Sequence, residues 1–134
     1  LFCRPKIVDI TDEKVVLYIP LNRQTRNHIK SMYIGTMTVG ADLVTGLTAM
    51  LSIRRSKRKI ILIFKDLNAT FLKRAEGDTY FTCNDVKKIE SAVRKVIASK
   101  DRVNINIPII ATVPEKCGTE PVAEFNITLS MKEY

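Results

Sequence analysis

Between Ile34 and Ile53 the chain runs through about 20 apolar and small residues interrupted by a single charge, Asp42. A run of that length exceeds an uninterrupted strand, and its Ala, Leu and Met content favours a helix. It lacks any Lys, Glu or Arg stripe to face solvent, so the helix must be covered on nearly every side. The same length could span a membrane. Asp42 near its middle, the glycines Gly35, Gly40 and Gly46, and the hydroxyls of Thr36, Thr38, Thr45, Thr48 and Ser52 weaken that reading and direct the helix to a protein interior.

The flanking segments have shorter periods. Lys14 to Leu21 alternates loosely and predicts a first strand, and the polar stretch Asn22 to Lys30 predicts a loop. Lys59 to Arg74 is rich in β-branched and aromatic residues and predicts one long strand, bent near Asp66 to Asn68. Glu76-Gly77-Asp78 then turns the chain into a partner strand at Thr79 to Cys83. Asn84 or Asp85 can cap a second helix over about 85–99. There Val86, Ile89, Val93, Val96 and Ile97 share one face, opposite Lys87, Lys88, Glu90, Arg94 and Lys95. Two further strands, Val103 to Val113 and Val122 to Met131, flank a Pro114 to Pro121 turn containing Gly118.

The order β, buried helix, β, β, surface helix, β, β makes an α+β protein, read as a single domain over 1–134. Its first six elements also fit a ferredoxin-like βαββαβ module of the RNA-binding kind. That fold wants two amphipathic helices on an open sheet face, and the aromatic RNP1 pattern is missing from Thr79-Tyr80-Phe81-Thr82-Cys83. An antiparallel sheet wrapped around one long central helix fits better.

Composition adds boundaries. Of 134 residues, 46% are hydrophobic and 27% charged, the balance of a globular chain. Cys3, Cys83 and Cys117 are odd in number and form no C-x-x-C pair, so neither a disulfide framework nor a cysteine metal site is expected and a reducing, cytoplasmic setting is the default. The chain opens at Leu1 without a basic-apolar-small signal pattern, as a trimmed chain would. Lys and Arg number 22 against 14 Asp and Glu, a net charge of +8, which invites nucleic acid, a membrane surface or a phosphorylated ligand. Five of those cations sit in Arg54-Arg55-Ser56-Lys57-Arg58-Lys59.

Asn27 is followed six residues on by Tyr33, with Gly35 two residues later and Asp42 nine residues beyond Tyr33. With Arg26-Asn27-His28-Ile29, Gly46-Leu47 and Phe71-Leu72-Lys73-Arg74-Ala75-Glu76-Gly77-Asp78, this spacing resembles the hotdog-fold thioesterases, especially the phenylacetate-pathway type and a related uncharacterised branch. Tyr33 stands where that family usually has His, Ile34 where it has a first Gly, and Lys30 where a Gly is common. The resemblance implies a homodimer or dimer of dimers with sites shared between subunits, an acyl-CoA or other acyl thioester as substrate, and Tyr33 and Phe71 among the site residues.

Thioester hydrolysis needs a polarised carbonyl and an activated water or nucleophile. The Gly35 amide at the helix N-terminus is the candidate oxyanion donor, although a glycine there also simply relieves crowding. Asp42 is the candidate base or nucleophile, since an isolated carboxylate in an apolar helix has a raised pKa; the alternative is a carboxylate tied into the core. Thr45, one turn on, could orient water or bond its own helix carbonyl. Asn27 could orient the carboxylate or the substrate, or form a turn. His28, the only histidine, reads as a loop side chain: no G-x-S-x-G elbow accompanies it, and Gly35-x4-Gly40 leads into Ala41-Asp42, which excludes a nucleotide P-loop. Arg54, Arg55, Lys57 and Arg58 could clamp the phosphates of coenzyme A, or merely complement a helix C-terminus. No metal and no cofactor beyond coenzyme A within the substrate is expected, and nucleic acid is not. The alternatives are a non-catalytic acyl-thioester binder and the basic RNA-binding module.

Overall fold

The computed structural model describes residues 3–134, so Leu1 and Phe2, and with them the expectation about how the chain opens, lie outside the described residues. Six strands form one antiparallel sheet: β1 (Lys6–Ile10), β2 (Val15–Ile19), β3 (Ile60–Phe71), β4 (Thr79–Cys83), β5 (Val103–Thr112) and β6 (Pro121–Glu133). Their spatial order is β1-β2-β4-β5-β6-β3. Helix α1 (Ile34–Ser56) lies along the inner face of the sheet, α2 (Val86–Ser99) packs beside its C-terminal end, and α3 (Pro114–Cys117) is one short turn. This is the hotdog architecture.

Strand alternation decides which residues meet the helix. Val15, Leu17 and Ile19 of β2, Phe81 and Cys83 of β4, Ile107 and Ile109 of β5, and Phe125, Ile127 and Leu129 of β6 are buried in one cluster with Met37, Ala41, Val44 and Ala49 of α1. The closest approach is at Gly40, where a Cβ would stand 2.7 Å from Phe81 Cδ1 and nearer still to Cε1 and Cζ. A smaller cluster of Ile53, Val93, Val96, Val103 and Met131 holds α2 against the end of α1.

Several expectations need correction. Lys6–Ile10 forms a strand, β1, that periodicity missed. The strand at Thr79 to Cys83 pairs with β2 and β5, not with the long strand before it, and among the described residues β3 pairs with β6 alone. The predicted bend in the long strand is a register shift between Phe64 and Asp66. Asp85 occupies the N-cap of α2 without a side-chain hydrogen bond to the helix.

The central helix is also less completely covered than its composition predicts. Buried positions such as Ala41, Val44, Thr45, Thr48 and Ala49 form one side. Ile34 and Met50 are exposed, while Asp42, Leu43, Gly46 and Leu47 are only partly covered. That second side faces β3, since the Phe64 ring lies 3.4 Å from the Cβ position of Gly46.

Both long helices end on a lysine in the left-handed region, Lys57 at φ 58° and Lys100 at φ 61°. Glu133 at the end of β6 binds both ends: Arg58 Nε donates to it at 2.5 Å and Lys100 Nζ at 2.7 Å. Its hydrogen bonds from Lys100 and then Arg58 hold the Glu133 carboxyl below the ordinary value. A lowered folded-state pKa contributes stability above the unfolded-state value, and that contribution is lost as pH falls through the folded one. Glu133→Gln is therefore expected to melt at a lower temperature than the wild type at pH 7, with the gap closing below about pH 4. Paired thermal melts across pH 2–7, a range spanning about the ordinary carboxyl value, check it.

Candidate functional site

Helix α1 begins without a side-chain cap. Tyr33 at its N-cap is half-exposed, its backbone N–H donates to Thr25 O at 2.8 Å, and its carbonyl accepts the Met37 amide at 3.0 Å. The amides of the first turn thus carry the positive end of the helix dipole toward open space. Gly35 is exposed, and a Cβ built there meets no atom within 4 Å.

Beside this turn lies a cleft of about 350 Å³ whose walls include Asn27, Ile29, Ile34, Met37, Phe71 and Leu72. One wall is the loop from Asn27 to Ser31. The Asn27 Oδ1 accepts the Ile29 and Ser31 amides at 3.0 and 3.1 Å, and Arg74 braces the loop from β3's end by donating to Ser31 Oγ and Ile29 O. Asn27 is thus a turn former with its carboxamide oxygen fully engaged, and it lines the cleft rather than touching Asp42. The cleft brings Asn27 and Phe71 together, as candidates far apart in sequence. Ile29, Ile34, Met37 and Leu72 escaped sequence reasoning because a loop, a helix start and a strand end carry no shared period. The one available signal was the apolar pair Phe71-Leu72 just before the turn.

Asp42 is the only carboxylate of α1 and sits on its partly covered side, one turn before Gly46. Burial raises its carboxyl above the ordinary value. Seven residues separate it from Gly35, which places both on the same side of the helix but about 10 Å apart along the axis. One helix therefore cannot present its own Gly35 amide and its own Asp42 carboxylate to one carbonyl. Thr45 is fully buried and its Oγ1 donates to Ala41 O at 2.7 Å, so the expected water-orienting hydroxyl is spent inside the helix. His28 is exposed in the loop.

The basic run sits at the other end of α1, about 30 Å from Gly35 by helix rise. Two of its members have carboxylate partners: Arg55 with Glu90 at 3.3 Å and Arg58 with Glu133. A phosphate clamp built from Arg54, Arg55, Lys57 and Arg58 thus does not reach the cleft of its own chain. Among the described residues, no group of three or more His, Cys, Asp or Glu is placed to hold a metal ion.

The same architecture recurs in solved structures. A protein of unknown function from Chlorobaculum tepidum superposes with a TM-score of 0.85 at 13% identity, over 99% of this chain and 85% of the other. A probable thioesterase from Pseudomonas aeruginosa gives 0.78 at 20% identity, over 98% and 85%. A thioesterase from Haemophilus influenzae gives 0.71 at 10% identity, over 98% and 80%. Identities this low establish the shared hotdog fold and nothing finer. In sequence, residues 3–131 match the model of the family described as Domain of unknown function (DUF4442), and the chain belongs to that family. No curated protein matches it significantly in sequence.

Proposed function

We propose that this chain binds and hydrolyses acyl thioesters such as acyl-CoA. The observation that carries the reading is Asp42, a half-covered carboxylate with a raised pKa in the apolar stretch of α1, about two turns from an uncapped helix N-terminus that borders an apolar cleft. Such a carboxylate is poised to take a proton from water or to attack a carbonyl carbon, and first-turn amides suit the oxygen of a developing tetrahedral centre. Water adds to the carbonyl carbon, the C–S bond breaks, and the proton held by Asp42 passes to the departing thiolate.

The 10 Å gap along α1, about two helical turns, points to a working unit of two copies, in which the first turn of one meets Asp42 of the other. Strand β3 supports that assembly. It is an edge strand of 12 residues, and Phe64, Leu67 and Phe71, which share the inner face with the residues opposite them in β6, are all exposed. A long apolar edge of this kind needs cover, which a second β3 would supply. Leu67→Glu is expected to convert a dimer to monomers; sedimentation equilibrium at micromolar concentration checks it, and a monomeric wild type would count against the shared site.

Free-thiol release from a panel of short, medium, long and aromatic acyl-CoAs tests the activity. The closed Asn27 turn and the residues Tyr33 and Ile34 at the helix start favour a second reading, a binder without turnover. Saturable acyl-CoA binding with no thiol released would select it.

A further inference from the structure

The excess positive charge of this chain is confined to two segments that pack together. Residues 54–59 and 84–100 hold ten of the 22 Lys and Arg and two of the 14 Asp and Glu, which leaves twelve of each sign everywhere else. The first segment is the last turn of α1 and the residues after it; the second is α2 with its two ends. The contact of Ile53 with Val93 and Val96 fixes them side by side. The basic character of the whole protein is thus the property of one face, and the remainder is neutral.

That face is concave at its centre. A cleft of about 340 Å³ opens between the end of α1 and α2, walled by Ser52, Ser56, Arg55, Arg58, Arg94 and Glu90, with Val93 and Ile97 as its floor. Three arginines line it against one carboxylate, while the Ser56 hydroxyl is held by Ile53 O and the Arg58 amide. Glu90 faces Arg55 at 3.3 Å across two partly exposed side chains, a pair that contributes little and can open. Arg58 is fixed by Glu133, and Arg94 is exposed with no ion pair among the described residues. The candidate thioester site of the same chain does not use these groups, since they lie at the far end of α1 from it.

We propose that this cleft is a second ligand site, for the phosphate groups of a small polyanion, with Arg94 and Arg55 as the mobile contacts and Arg58 as the fixed one. Guanidiniums bind phosphate oxygens through paired, charge-assisted hydrogen bonds. A concave site with a small apolar floor suits a compact ligand rather than a flat surface. The neutral remainder of the chain directs an incoming anion to this face.

Calorimetric titration of the full chain with inorganic pyrophosphate and with adenosine 3′,5′-bisphosphate tests the site, because it reads binding whether or not the protein hydrolyses thioesters. Saturable binding that weakens with salt is expected, and Arg94→Glu should weaken it at least about tenfold, the loss of one charge-assisted contact. Lys6→Glu changes the net charge equally but lies at the opposite end of β1 from Ile10, the residue of that strand that comes near Arg55, and it should leave affinity within about twofold. The milder Arg94→Gln, with its melting temperature recorded, guards against a folding defect. Equal weakening by Lys6→Glu would reduce the effect to bulk charge and overturn the proposal. So would failure of both probes to bind at millimolar concentration, or binding to anionic vesicles that neither probe displaces.

Discussion

Asp42→Asn is expected to lower acyl-CoA hydrolysis by about 10²–10⁴-fold, the usual loss on removing one positioned general base, while ligand binding persists. The substitution keeps the size of the side chain and removes only the charge. Its effect on stability has the opposite sign. A carboxyl whose pKa is raised by folding binds its proton more tightly in the folded state. As pH rises above the unfolded-state value, the unfolded chain gives up its proton first and stability falls. At neutral pH the Asn variant should therefore melt at or above the temperature of the wild type, and the difference should vanish in acid. In the same frame, the wild-type rate should rise with pH to a midpoint above that of an ordinary carboxylate. Thiol-release kinetics and thermal melts on both proteins across pH check all three statements. Equal activity in the Asn variant would remove Asp42 from the chemistry.

The second large effect concerns packing. Gly40→Ala places a methyl group against one edge of the Phe81 ring, well inside contact distance, and that side chain has no solvent exposure. Replacing Gly by Ala within a helix would ordinarily stabilise by about 1 kcal/mol. Overpacking a dense core costs about 1–3 kcal/mol, so the net change should be destabilising, and Gly40→Val should reach or exceed the upper end of that range. A loss of about 2 kcal/mol corresponds to a melting point lower by roughly 5–10 °C in a chain of this size. Pairing Gly40→Ala with Phe81→Leu should recover part of the loss in a double-mutant cycle. Gly35→Ala is the contrasting case. Its methyl meets nothing, so the fold should hold or gain while hydrolysis falls, because the approach to the first-turn amide narrows. Parallel melts and rates on the Gly35 and Gly40 variants separate the two roles.

Both helices were legible in the sequence for physical reasons that the structure preserves. The run from Ile34 carries a single charge because one side of it is buried against the sheet, and α2 alternates because one face meets Val103 and Met131 while the other meets water. Asp42 stood out because a lone carboxylate in apolar surroundings is costly. What failed was nonlocal. The turn at Glu76-Gly77-Asp78 is a sound local signal, yet it joins strands that do not pair, because pairing is set by topology rather than by proximity along the chain. Strand β1 was missed since Lys6-Ile7-Val8-Asp9-Ile10 is short, charged and bulged between Ile7 and Asp9. The fates of Asn27 and Thr45 turned on backbone partners two to four residues away, where a site role and a turn or helix role use the same residue types.

The place of β3 in the sheet sets an order of events. Its sole strand partner among the described residues is β6, and paired residues lie between 52 and 73 positions apart, from Phe71↔Ala123 to Ile60↔Glu133. During synthesis, β1, β2, β4 and β5 can assemble on α1 before the last strand leaves the ribosome, but β3 cannot dock until β6 arrives. Until then its row of Ile61, Ile63, Phe64, Leu67 and Phe71 stays unpaired along both edges. Contacts of such long range form slowly and leave adhesive segments open in the interval. Loss of β6 would thus strip Phe125, Ile127 and Leu129 from the core and turn the outermost strand into the point from which the chain aggregates.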